Sequence, residues 1–67
     1  MVDDLDIYRS ANELINQHGD EALVHAAMRA DELAADGDMD GRAVWLRIVK
    51  AIEELLSEER PEGEKVH

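Results

Sequence analysis

Residues 44–56 carry Val44, Trp45, Ile48, Val49, Ile52, Leu55 and Leu56 at helical spacing. At about 100° per residue these side chains sweep an apolar arc of roughly 140° on one helix. An arc that wide exceeds what a single neighbouring helix covers, so the segment needs two partners at once. This requirement constrains the fold more than any other feature of the chain. Just before it lies an acidic turn, Asp36-Gly37-Asp38-Met39-Asp40-Gly41, so the sequence from Asp36 to Leu56 reads as a corner followed by the organising helix.

Two earlier segments are available as partners. In the first, Ile7, Tyr8, Ala11, Leu14, Ile15 and His18 recur on one helical face, with Arg9, Asn12, Glu13, Asn16 and Gln17 on the other. Asp3 or Asp4 can cap its start, and Gly19 is placed to end it in a left-handed conformation. Asp20 is then placed to cap the second segment. There Ala22, Leu23, Ala26, Ala27, Ala30, Leu33 and Ala34 make a face of mostly small side chains suited to close helix packing. Gly37 and Asp38 repeat the stop and cap of Gly19 and Asp20. The spacing predicts an all-α protein, a compact three-helix bundle with helices near 4–18, 21–36 and 39–58 and Trp45 in the core. Residues 1–57 form the single helical domain. In residues 58–67 the periodicity is lost around Pro61 and Gly63, and a flexible acidic tail is expected.

A chain of 67 residues has room for one small domain. It has no Cys, which removes disulfides and thiolate metal sites. Seventeen acidic against seven basic residues give a formal charge of −10. That balance disfavours direct binding to nucleic acid, where Lys and Arg must displace counterions, and to anionic membrane surfaces. No apolar run approaches the roughly 20 residues that cross a bilayer, and the opening MVDDLD is acidic where a signal peptide is basic. The expectation is a cytoplasmic protein.

The turn at Asp36, Asp38 and Asp40 matches the D-x-D-x-D-G opening of a calcium-binding loop. The position that should supply a bidentate Glu is Arg47, a cation, and the simpler reading makes Gly37 a helix stop and Asp38 a helix cap. These three carboxylates are therefore weak metal candidates, and no cofactor is expected. His18 closes the first apolar face and reads as a packed imidazole able to bond a free helix-end carbonyl. His25 shares a polar strip with Glu21, one turn earlier, as a surface ion pair or half of a shared zinc site. Ser10 and Ser57 are isolated hydroxyls without an orienting His or acid, and so small a helical domain offers little enclosed volume in which to tune a carboxylate. The chain is read as a non-enzyme.

Two surface features remain. Val24, Met28 and Ala35 form a narrow apolar stripe outside the main face of the second segment, and Leu46 sits among Arg42, Lys50 and Glu53 on the third. Apolar groups left outside a core mark a protein contact, and Met adapts to varied partners. They point to a protein partner or to self-association. The acidic runs, Asp31 to Asp40 and Glu53 to Glu59, admit an alternative: carboxylates one helical turn apart imitate a phosphate ladder, as in inhibitors that occupy nucleic-acid-binding clefts. Arg42, Arg47 and Lys50 interrupt that surface.

The residues Gln17-His18-Gly19-Asp20, Ala26-Ala27-Met28-Arg29-Ala30-Asp31 and Gly37-Asp38-Met39-Asp40-Gly41 with Ala43-Val44-Trp45 together resemble a family of short uncharacterised bacterial proteins, a domain of unknown function. The resemblance spans about residues 9 to 56. It implies a small free-standing bacterial protein, makes the acid at Asp36 incidental, and transfers no site residues. The function expected from the sequence is a protein–protein interaction or regulatory module.

Overall fold

A computed structural model describes residues 4–59 of the chain. Three α-helices account for nearly all of them: α1 (Asp4–His18), α2 (Ala22–Ala35) and α3 (Met39–Glu59). A single 3-10 turn, Gly19–Glu21, joins α1 to α2, and no strand occurs among the described residues. The helix expected to end near residue 58 runs to Glu59. The rest of the expected tail, and Asp3 as a possible cap, lie outside the described residues.

The two corners share the dipeptide Gly-Asp but are built differently. At the second, Gly37 takes a φ of 83°. Its N–H donates to the Ala34 carbonyl at 3.0 Å while the Asp38 N–H donates to the Leu33 carbonyl at 2.8 Å. This pair of bonds is the Schellman closure, which uses a left-handed residue to satisfy helix-end carbonyls. Asp38 then caps α3: its Oδ1 accepts the Gly41 N–H at 2.9 Å, and its carbonyl accepts the Arg42 N–H at 3.0 Å. A Cβ on Gly41 would lie 2.6 Å from Asp38 Oδ2, so the glycine leaves room for the carboxylate to fold over the first turn.

At the first corner Gly19 is also left-handed, with a φ of 61°. Asp20, however, is not the cap expected from the sequence. It lies within the 3-10 turn, Glu21 occupies the cap position without a side-chain bond, and the Ala22 N–H donates to the Gly19 carbonyl. The tightened turn supplies acceptors that a capping side chain would otherwise provide.

The core consists of Ile7 and Ala11 from α1, Ala22, Ala26 and Ala30 from α2, and Ile48, Ala51 and Ile52 from α3. Helix α3 packs on both α1 and α2, whereas α1 and α2 touch each other far less. The wide apolar arc of α3 thus meets two helices. The alanines at intervals of four residues let α2 approach α3 closely along one ridge. The deepest large side chain is Ile52, and Leu14, Ile15, Leu23, Val44, Trp45, Val49, Leu55 and Leu56 surround the centre half-buried. Trp45 is therefore at the margin of the core, not at its centre. It stands two turns, about 10 Å, before Ile52 on α3 and lines an open depression with Leu14 and Gln17 of α1, so one side of the indole stays uncovered. Ala51, outside the expected face, is buried as well: on the helical wheel it lies about 20° beyond Val44, at the edge of the arc, and the packed helices cover that edge too.

Polar ties between α1 and α3 lie on the surface. Arg47 donates to the Asp4 carboxylate at 2.6 Å, with side chains 48% and 86% exposed, and the Tyr8 hydroxyl donates to Glu54. Exposed pairs of this kind contribute about 0–1 kcal/mol. Truncating Ile52 to alanine removes more: Ile52→Ala is expected to cost about 2–5 kcal/mol, measured by urea denaturation followed by circular dichroism. In so small a domain that loss leaves much of the protein unfolded without denaturant.

Candidate interaction surface

The residues singled out as a partner contact are all on the outside. Val24 is 57% and Met28 54% exposed, and Ala35 is exposed beside them. On α2 they fall on the side opposite Ala22, Ala26 and Ala30, the line of the helix that is buried. Leu46, 41% exposed, and Met39 belong to the face of α3 turned away from Ile48 and Ile52. Since α2 and α3 turn their buried lines towards each other, these stripes point in different directions. They are two surfaces, with Val24–Met28 the more exposed.

The acidic corner is occupied with helix termination. Asp36 is the last capping residue of α2, the Asp38 carboxylate accepts a backbone N–H of α3, and Asp40 lies in the first turn of α3, where its charge favours the helix dipole. Among the described residues no three His, Asp or Glu side chains come together as a set that could hold a metal ion. Arg47, in the place of the loop's last ligand, is bound to Asp4.

The two internal histidines meet. The rings of His18 and His25 stack with centroids 3.8 Å apart and planes 16° from parallel. His18 is thus the packed, partly buried imidazole expected, with a ring rather than a carbonyl as its contact, and His25 meets that ring rather than Glu21. The signal lies in their separation of seven residues across a short, reversing corner, which helical periodicity within one segment does not expose. Near-parallel rings direct their in-plane lone pairs side by side, so this arrangement packs the corner rather than chelates an ion. Arg29 makes the expected short-range pair on the polar strip of α2, with Glu32 at 3.1 Å.

Open depressions flank α3. One, of about 320 Å³, lies where Asp4, Tyr8, Arg47, Lys50 and Glu54 meet. Another, of about 390 Å³, is lined by Arg9, Ser10, Glu13, Leu14, Gln17 and Trp45. Neither brings a hydroxyl nucleophile together with a histidine. No helix among the described residues is long and apolar enough to cross a membrane.

Comparison with protein-family models, with curated proteins and with solved structures finds no match to the chain.

The construction of the corner is open to direct test. Gly37→Ala forces a Cβ into the left-handed region and is expected to cost about 1–2 kcal/mol. Asp38→Ala removes the cap for about 1 kcal/mol. Both are read from thermal unfolding, and Asp36→Ala, which removes no such bond, should stay within about 0.5 kcal/mol of the parent.

Proposed function

We propose that the protein is a non-enzymatic interaction or regulatory module, a three-helix bundle that binds a partner protein, or a second copy of itself, through the outer face of α2. The reading extends to a cytoplasmic bacterial protein of the short family that the sequence resembles, with no direct contact to nucleic acid. The observation that carries it is the exposure of Val24 and Met28, both more than half open to solvent. They lie on a helix whose opposite side is already satisfied by the core. The fold already covers nearly half of each, so burying the remainder is worth about 1–1.5 kcal/mol per side chain. The chain's net charge keeps it soluble while the stripe remains available.

Capture of partners by the immobilised protein, at low and high salt, tests this reading. An apolar contact holds as salt is raised, and Met28→Asp weakens it at least about tenfold, equivalent to roughly 1.4 kcal/mol. Size exclusion over a range of concentrations separates self-association from a heterologous partner. If capture instead collapses steeply with salt, competes with DNA or RNA and ignores Met28→Asp, the acidic surface is acting as a nucleic-acid mimic.

A further inference from the structure

The depression between α1 and α3 has a composition unlike the outer face of α2. Its apolar part is made by Leu14 and by the indole of Trp45, the chain's single tryptophan, which is half-buried at the edge of the core. Its rim holds Ser10, Glu13 and Gln17, with Arg9 as the lone cation among the lining residues. The Gln17 side-chain amide donates to Glu13 Oε2 at 3.4 Å. This long, exposed bond sets the two side chains side by side and leaves the second Glu13 oxygen, the Gln17 carbonyl and the Ser10 hydroxyl as acceptors. Arg9 makes no ion pair with any described residue.

We propose that this groove receives an arginine from a basic segment of a partner protein, its guanidinium stacked on the Trp45 indole and hydrogen-bonded to Glu13. Three features select that occupant. An indole face is the best aromatic platform for a cation. A planar guanidinium offers a fork of donors to a carboxylate with neighbouring acceptors and also stacks on rings, which an ammonium does not match. The formal charge of −10 on the whole chain draws a basic partner and repels an acidic one. Arg9 opposes the incoming charge and limits affinity. Tryptophan at a surface groove is also the residue type most enriched among side chains that dominate binding energy. This surface is separate from the Val24–Met28 stripe, so either can fail without the other.

The test uses the full chain and a short capped peptide carrying one arginine and one leucine among alanines, with lysine and glutamate versions as controls. Because Trp45 is the only tryptophan, its emission reports on the groove directly, and amide NMR shifts locate the contact. The arginine peptide is expected to shift the emission and to perturb Arg9, Glu13, Gln17 and the indole N–H, more strongly than lysine and with glutamate silent. Glu13→Gln should weaken binding by about two- to fivefold and Arg9→Ala should tighten it by a similar factor. Both positions are exposed, so the fold survives either change. Shifts spread evenly over the acidic surface, an affinity unaltered by Glu13→Gln, or an equal response to the glutamate peptide would each overturn the assignment.

Discussion

Close contact between the alanine line of α2 and the apolar arc of α3 is what the rest of the molecule depends on. Ala22, Ala26 and Ala30 present almost no side-chain bulk, so the two helices come together along a ridge and Ile48, Ala51 and Ile52 are sealed beneath it. Helix α1 adds Ile7 and Ala11 to the same cluster. Burial on this scale is modest. A chain this short leaves a large fraction of its surface in water, and each well-placed branched side chain therefore matters more than it would in a larger domain.

That economy shapes the surfaces. The small core reaches only part of α3, and Trp45, two turns before Ile52, lies at its margin, where it becomes part of an open groove beside α1. Small residues on the inner side of α2 also leave the larger Val24 and Met28 of that helix outside. The exposed apolar character and the tight interior are thus two consequences of the same packing. Polar contacts contribute little to holding the helices: Asp4 with Arg47 and Arg29 with Glu32 are solvent-exposed pairs, and among the described residues no buried polar side chain sits in the core.

The corners show how far local chemistry reaches. At Gly37-Asp38 the stop, the cap and the glycine at the third helical position are all contained in the stretch from Leu33 to Gly41, and each bond arises from donors and acceptors at fixed offsets. At Gly19-Asp20 the same dipeptide makes a 3-10 turn instead, in which the Ala22 N–H donates to the Gly19 carbonyl. The stacked His18 and His25 then fill that corner. The same dipeptide ends in either geometry, and the residue three places further on differs: Gly41 admits the folded-over Asp38 carboxylate, whereas Leu23 follows Asp20 at that offset.

From the sequence alone came the all-α class, the three helical segments to within one or two residues, the left-handed glycines and the membership of most core positions. These rest on relations that span a single helical turn, and the residues carrying them are adjacent in the chain. The peripheral position of Trp45, the burial of Ala51, the stack of the two histidines and the separation of Leu46 from the Val24–Met28 stripe were decided only by tertiary structure. Each depends on the azimuth at which one helix meets another, and that angle is fixed by the summed shape of all the side chains between them rather than by any local pattern.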